Sequence, residues 1–297
     1  MPGIGIGIGI GIGFRNIPPD PKFKFDMLEN GLDFITEAVE TINASTSHRR
    51  LKYAVIHLCS GVELVFKEVL RNKDWRLIFQ EKNEATPELL QSGDFESVRL
   101  KKAIKLVESE CKVKFTDEDK KVLEDLRLKR NKIEHFKVDE RVSALKSLSA
   151  KVLNFLIQFI DSYVNVDQIS NLSKGYIKNL PKELTKFNTY VAERNQGIKT
   201  RYDQKINKGI IVVNCPNCLQ KALFVDSQLK CMFCNYTNSP EILAFEINKT
   251  FNNTHLIPQN KCTNCSSISL ISSDEKTICL SCGQQIEKLK QNTNPTG

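Results

Sequence analysis

Between residues 26 and 165, apolar side chains recur at intervals of three and four residues, the spacing that places them on one face of an α-helix. Five such stripes follow one another, and they predict a mainly α fold, an antiparallel bundle of helices with short connections. Thr116 and Asp119 have the spacing of a capping box and predict the start of the fourth helix. The stripes are Leu28, Leu32, Ile35, Val39 and Ile42; Leu51, Val55, Leu58, Val62, Val65 and Val69; Val98, Ala103, Ile104, Val107 and Cys111; Leu123, Leu126 and Ile133; and Val142, Leu145, Leu148, Val152, Leu156, Phe159 and Tyr163.

The rest of the chain divides into three segments. Residues 1–25 begin with alternating Ile and Gly and continue into a Pro-rich stretch, and we interpret them as a low-complexity tail and linker. Residues 166–208 have a helical but more polar pattern, and are expected to form a connector that packs on the bundle or on a second subunit. In residues 209–297, short β-prone pieces alternate with cysteine pairs, which predicts a small region poor in regular structure.

Eight of the ten cysteines form four C-x2-C pairs, arranged in two units with 12 and 13 residues between the pairs. One pair provides two sulfur ligands to a metal ion. The intervening chain brings the second pair back to the same ion, which completes a tetrahedron of four sulfur ligands. Four thiolates leave no position for water, so we expect two structural Zn²⁺ ions in tandem zinc ribbons, at residues 209–240 and 257–290. The expected ligands are Cys215, Cys218, Cys231 and Cys234, and Cys262, Cys265, Cys279 and Cys282.

Other uses of these cysteines are weaker interpretations. A redox dithiol normally has one C-x2-C pair rather than four in matched units. An iron–sulfur cluster uses the same ligands, and the spacing alone leaves it open. The ribbons either offer a surface to nucleic acid or protein, or only stabilise a small module. Cys59 and Cys111 lie in apolar stripes and are expected to be core residues.

Net charge and hydropathy indicate which partners and which cellular location to expect. The formal net charge is +8, and eight thiolates with two Zn²⁺ would lower it to +4, which permits a nucleic-acid partner without requiring one. The sequence contains no run of about 20 apolar residues and no pattern of a secretory signal, so no membrane association is expected. We therefore expect a cytoplasmic, reducing location, in which disulfides are rare.

Candidate chemistry lies in residues 126–136, where Arg130 and Asn131 precede His135 in an R-N-x3-H pattern. Arg130 falls on the inward face of its helix, where a cation needs a partner or a cleft. Arg130 and His135 are about 140° apart around the helix axis, so they could both reach a groove only between this helix and a neighbour. Glu63 lies on an apolar helix face, and is either paired, with Arg130 as one candidate, or reaches water at the margin.

Arg130, Asn131 and His135, together with the stretch Gly61–Lys67 and its acidic Glu63, resemble the HEPN domain family. HEPN domains are helical, and many act as ribonucleases in prokaryotic toxins and antiviral systems. The resemblance covers residues 26–163 and leaves out the cysteine pairs. It implies a metal-independent RNA endonuclease, acting on RNA such as tRNA, of a toxin or antiphage defence type.

The resemblance also implies a role for each residue. His135 would act as general base or acid, and Arg130 would bind the scissile phosphate. Asn131 would orient His135 or the phosphate, and Glu63 would position Arg130. The family pairs two domains around one groove, which implies a homodimer. The ribbons would then recruit RNA, sense a protein trigger or bind an inhibitor.

The sequence around the motif is basic, and we expect it to contribute to an RNA track, although acidic residues are interspersed. Two other functions stay open: a non-catalytic zinc-ribbon adaptor that binds nucleic acid or a partner protein, and a HEPN-like nucleotide sensor. An adaptor would not depend on Arg130 and His135, whereas a sensor would bind mononucleotides without cutting RNA. The basic residues are Lys101, Lys102, Lys105, Lys112, Lys114, Lys120, Lys121, Arg127, Lys129, Arg130 and Lys132.

Overall fold

The computed structural model describes residues 22, 24–44, 47–251, 261–272 and 276–287, and within these ranges it contains nine α-helices and five short strands. The expected mainly α fold, followed by a region with two cysteine clusters, is confirmed. The expected tail and linker at 1–25 lie almost entirely outside the described residues. The helices are α1 (Met27–Ala44), α2 (Leu51–Lys73), α3 (Pro87–Ser92), α4 (Leu100–Ser109), α5 (Asp117–His135), α6 (Val142–Tyr163), α7 (Asn171–Leu184), α8 (Asn188–Asn207) and α9 (Pro240–Phe251).

The central helix of the bundle is α2, which contacts α1, α4, α5 and α6. Every residue of the first two apolar stripes is buried, so both faces were correctly identified from the sequence. α1 and α2 approach closely where Gly31 faces Gly61. A Cβ on Gly61 would lie 2.5 Å from Cγ1 of Ile35 and 2.8 Å from the carbonyl oxygen of Gly31. The approach therefore requires glycine at position 61.

Two sequence predictions about local structure have clear outcomes. The capping box at the start of α5 is confirmed, because Asp119 N–H donates to Thr116 Oγ1 at 3.1 Å and Thr116 N–H donates to Asp119 Oδ2 at 2.9 Å. The connector packs on the bundle through both of its helices. α7 contacts α1, where Tyr176 donates to Asp33 Oδ1 at 2.8 Å, and α8 contacts α6.

The C-terminal part contains two small antiparallel sheets. β1 (Val212–Asn214) pairs with β2 (Lys221–Phe224), and β3 (Leu270–Ser272), β4 (Lys276–Cys279) and β5 (Gln285–Glu287) form the second sheet. α9 lies between them in sequence and contacts β3. Among the described residues, no helix has the length and apolar character needed to cross a bilayer.

Candidate functional site

All four residues singled out as candidate catalytic groups line one cavity, of about 640 Å³, between α2, α5 and the start of α4. We call it the α2–α5 cleft. Glu63 comes from α2, and Arg130, Asn131 and His135 come from α5. The cleft thus brings together residues that are about 70 positions apart in the sequence. Its other lining residues are Cys59, Glu96, Ser97, Arg99, Leu100, Lys101, Arg127 and Glu134.

Arg130 is held by neighbours on its own helix. Its Nη1 donates to Asn131 Oδ1 at 3.2 Å, and its Nε lies 2.8 Å from Glu134 Oε2. That second contact is an ion pair without hydrogen-bond geometry, since Nε is buried and makes no hydrogen bond within the described residues. The guanidinium side chain remains 34% exposed, so part of it faces the cleft.

Within the described residues Glu63 makes no hydrogen bond or ion pair with Arg130, so the expected positioning of Arg130 by Glu63 does not come from a direct polar contact. Its Oε1 lies 2.6 Å from Nζ of the buried Lys67, and its Oε2 accepts a hydrogen bond from the backbone N–H of Leu100 at 2.7 Å. Leu100 is the first residue of α4, whose preceding residue gives no side-chain cap. A carboxylate of α2 therefore caps α4. In this structure Glu63 ties two helices of the cleft together.

Glu134 contacts Arg130 in the cleft and was not singled out from the sequence. It lies four positions after Arg130, the spacing of an intrahelical ion pair, and this was the available signal. Its Oε2 is also 3.8 Å from Nε2 of His135, too long for a hydrogen bond. His135 is 73% exposed at the end of α5, and the following Phe136 is 77% exposed. The imidazole of His135 and the guanidinium of Arg130 are thus both accessible from the cleft.

The surroundings of the cleft carry charges of both signs. Arg99, Lys101 and Arg127 add to Arg130, while Glu96 adds to Glu63 and Glu134. A second cavity, of about 440 Å³, adjoins the cleft because both are lined by Glu96, Arg99 and Lys101, and it continues along α4 past Lys102 and Lys105. This surface is predominantly basic and can accommodate a chain of phosphates.

Cys59 lies in the wall of the cleft but is not available as a nucleophile. Burial raises the pKa of its thiol to about 12, with smaller contributions of either sign from the charges of Arg130, Glu63, Glu134 and Arg127. Since the thiolate is the reactive form, Cys59 is a packing residue, as expected from its apolar stripe.

The eight paired cysteines gather into two clusters, each with ligand atoms within 4.8 Å of one another, and each can hold a metal ion. In the first cluster, Cys215 Sγ lies 3.7 Å from Cys234 Sγ and Cys218 Sγ lies 3.7 Å from Cys231 Sγ. Sulfurs at these distances are not in disulfides, whose S–S bond is about 2.05 Å. They match the edge of a tetrahedron with metal–sulfur bonds of about 2.3 Å, which is about 3.8 Å.

The second cluster repeats this arrangement with a more open surface. Cys262 Sγ is 3.7 Å from Cys282 Sγ, and Cys265 Sγ is 3.6 Å from Cys279 Sγ. Cys265 and Cys282 are exposed, whereas all four cysteines of the first cluster are buried. The second cluster packs on α9, where Asn248 donates to the carbonyl oxygen of Leu270 at 2.9 Å.

All four cysteine pairs end in the same backbone turn. The residue after each pair has a positive φ between 60° and 75°, and its N–H donates at 2.9 Å to the carbonyl oxygen of the first cysteine of that pair. Only one of these residues is glycine, so the other three adopt a left-handed conformation that L side chains disfavour. The repeated turn aims both sulfurs of a pair at one point. The residues are Leu219, Asn235, Ser266 and Gly283.

Arg194 joins the first cluster to the helical bundle. Its side chain, in α8, is 2% exposed, and burial lowers its pKa. Its Nε donates to the carbonyl oxygen of Phe233 at 2.8 Å and its Nη2 to that of Met232 at 2.7 Å, while Nη1 donates to Asn154 Oδ1 of α6 at 3.0 Å. The buried guanidinium is satisfied by the turn between Cys231 and Cys234 and by α6.

Comparison with known proteins identifies one family. A family model described as "Domain of unknown function (DUF3644)" matches residues 26–207, which spans α1 to α8 and ends before the first cluster. No curated protein matches the chain. No solved structure matches it either.

Proposed function

Because this chain belongs to the DUF3644 family, whose function is unknown, we propose its function from the site itself: a metal-independent RNA endonuclease of HEPN type, acting in the cytoplasm as a toxin or in antiphage defence. The supporting observation is that Arg130, Asn131, His135 and Glu63 line one accessible cleft. The defence setting comes from the resemblance to HEPN domains. The cleft itself supports the chemistry.

In the proposed reaction, an imidazole of His135 takes the proton from a ribose 2′-hydroxyl, and the 2′-oxygen attacks the adjacent phosphorus. The bond from phosphorus to the 5′-oxygen breaks, and this oxygen takes a proton from a second imidazole. The products are a 2′,3′-cyclic phosphate and a 5′-hydroxyl. Arg130 stabilises the charge on the phosphate oxygens, and Asn131 and Glu134 orient its guanidinium.

The second imidazole is that of a second copy, so the proposed enzyme is a homodimer. Within the described residues, the cleft contains a single histidine. Three exposed apolar side chains lie near the motif in the sequence, namely Leu128, Phe136 and Val138. Exposed apolar groups of this kind beside a site are typical of an interface. A symmetric dimer would cover them and bring two His135 side chains to one groove.

The substrate would extend from the cleft along α4. The adjoining cavity provides Lys101 and Lys105 as exposed cations, so flanking phosphates of an RNA strand could follow this surface.

The metal in both clusters is proposed to be structural Zn²⁺. Four thiolates at tetrahedral spacing are typical of zinc and leave no open position for chemistry. A cluster of several irons would need its cysteines on different irons, and sulfur separations of 3.6–3.7 Å fit a single ion better. The zinc-bearing part would recognise substrate, a trigger or an inhibitor.

The proposal is tested by incubating total RNA with the wild-type chain, with His135→Ala and with His48→Ala, in excess EDTA. His48 is an exposed histidine outside the cleft and serves as the matched control. We expect discrete products with 2′,3′-cyclic phosphate ends from wild type and His48→Ala, and at least a hundredfold less from His135→Ala. The zinc content is measured after incubation. Equal cutting by His135→Ala would refute the role of His135.

The rival function is a non-catalytic adaptor. The contacts of Glu63 favour this function. The resemblance gives Glu63 a part in catalysis, whereas in the structure its carboxylate binds Lys67 and Leu100 and so holds α2 and α4 together. An adaptor would keep its activity in cells after His135→Ala and lose it when Cys215 or Cys262 is replaced. A nucleotide sensor would show saturable mononucleotide binding without cleavage.

A further inference from the structure

A cavity of about 560 Å³ lies between α6, α8 and the first cluster, away from the α2–α5 cleft. We call it the seam cavity. α6 contributes Asp161, α8 contributes Arg201 and Lys205, and Lys208 directly follows α8. Lys230 comes from the segment before Cys231. The cleavage reaction proposed above does not use any of these residues.

Positive charge dominates the seam cavity. Lys230 is paired with Asp161 at 2.7 Å, and Lys205 is paired with Asp226. Arg201 and Lys208 are exposed, and no carboxylate among the described residues pairs with either of them. Two unneutralised cations therefore face the same space as two partly neutralised ones. Such a surface attracts a ligand with several negative charges.

Side-chain amides accompany the cations. Gln158, Gln204, Gln228 and Asn235 line the cavity, and each offers both a hydrogen-bond donor and an acceptor. The carboxylates of an acidic protein segment would use only the donors of these amides. Nucleic acid presents phosphates as well as base edges that carry donors and acceptors, and a single strand leaves those edges accessible. The combination of cations and amides therefore favours a single strand over an acidic protein.

The walls of the cavity are fixed relative to each other. Arg194, which lies in the wall, is 2% exposed and donates to Asn154 of α6 and to the carbonyl oxygens of Met232 and Phe233. It is therefore not free to bind a ligand. It keeps the turn of the first cluster against α6 and α8. The site is therefore formed before a ligand binds, and little conformational entropy is lost on binding.

We propose that the seam cavity binds the phosphate backbone of a single-stranded nucleic acid, with Arg201 and Lys208 as its unneutralised contacts. The first cluster thereby forms one wall of a strand-binding site and not only a structural support. Binding here is independent of cleavage at Arg130 and His135.

The test measures binding of fluorescent polyuridylate to the full chain carrying His135→Ala, so that cleavage does not interfere. Arg201→Gln/Lys208→Gln is compared with Lys73→Gln/Lys174→Gln, which removes the same charge from exposed positions outside the cavities described above. We expect the first pair to weaken binding at least fivefold at 100 mM salt. The slope of log K against log salt should become shallower by about 1.4, since each single-strand phosphate contact contributes about 0.7. The control pair should leave both quantities within twofold of the parent.

A second measurement does not depend on the variants. Lysine acetylation is followed by mass spectrometry with and without polyuridylate, and Lys208 should be protected while Lys174 is not. Unchanged affinity and slope in Arg201→Gln/Lys208→Gln, with no protection of Lys208, would overturn the proposal. Competition by polyglutamate as strong as by polyuridylate at equal charge would also overturn it, in favour of an acidic protein.

Discussion

Glu134 holds Arg130 by an ion pair of 2.8 Å along a single helix, one turn apart. The same carboxylate oxygen lies 3.8 Å from the imidazole of His135. One acid thus stands between the two groups to which the proposed chemistry assigns phosphate binding and proton transfer. Its removal takes away this ion pair and leaves the guanidinium with only its hydrogen bond to Asn131 among the described residues.

Glu134→Gln should lower RNA cleavage roughly tenfold, about 1.4 kcal/mol in the activation free energy, because Arg130 loses its fixed orientation. Initial rates on one defined RNA provide the measurement. Glu118→Gln, which breaks an exposed ion pair with Lys151, is the control and should be within twofold of wild type. A rate for Glu134→Gln equal to that of the control would show that Arg130 needs no such positioning.

Glu63→Ala should act mainly on stability. It leaves the buried Lys67 without its carboxylate and removes the cap of α4, and we expect a loss of about 2–3 kcal/mol in the free energy of unfolding. Urea denaturation gives the value. Glu63→Ala/Lys67→Met should recover part of it, since no unpaired charge remains buried. An unchanged midpoint together with lost cleavage would instead assign Glu63 to the chemistry.

Gly61→Ala should destabilise the bundle by about 2 kcal/mol or more, because the new Cβ would meet Ile35 and the backbone of Gly31 at distances that atoms do not adopt. Gly175→Ala is the matched control. Position 175 lies in α7 and has no atom within 4 Å of an added Cβ, so this change should stabilise by about 0.5–1 kcal/mol. Thermal melts of the two variants should move in opposite directions, and parallel shifts would contradict the close approach of α1 and α2.

The two clusters should release their metal at different rates. Elemental analysis should give two zinc ions per chain and no stoichiometric iron. Under a chromogenic chelator, the second cluster should lose its ion first, since Cys265 and Cys282 are exposed while the first cluster is fully buried. Cys265→Ser should abolish the fast phase and keep the slow one. If both zinc ions were released to the chelator in a single kinetic phase, burial of the cysteines would not control the rate of release.

Much of the fold could be predicted from the sequence because it depends on local patterns. The stripes of α1 and α2 follow helical periodicity, and the capping box at Thr116 involves residues three positions apart. The cysteine spacing likewise predicted both clusters. Four residues of the cleft were identified from the motif and from the apolar face that carries Glu63, but not the contacts that they make.

What could not be predicted depends on contacts between distant elements. Whether Glu63 pairs with Arg130 or caps α4 is decided by where Leu100 lies, which helical periodicity does not specify. Arg194 gave no signal, because a basic residue in the polar helix α8 is expected at the surface. Its burial depends on hydrogen bonds to the carbonyl oxygens of Met232 and Phe233, about 40 residues away in the sequence.

The position of Arg194 bears on how this protein can be divided and recombined. The family match ends at residue 207, and the sequence suggests a boundary at 208 and 209, yet a chain cut there would lose two of the three acceptors of a buried guanidinium. The ring of Tyr190 would also lose its contact with Phe233. A helical fragment alone should therefore aggregate or need replacement of Arg194. Over evolution, recombination could exchange the first cluster only together with a matching α8. The second cluster packs on α9, and recombination could replace it together with that helix.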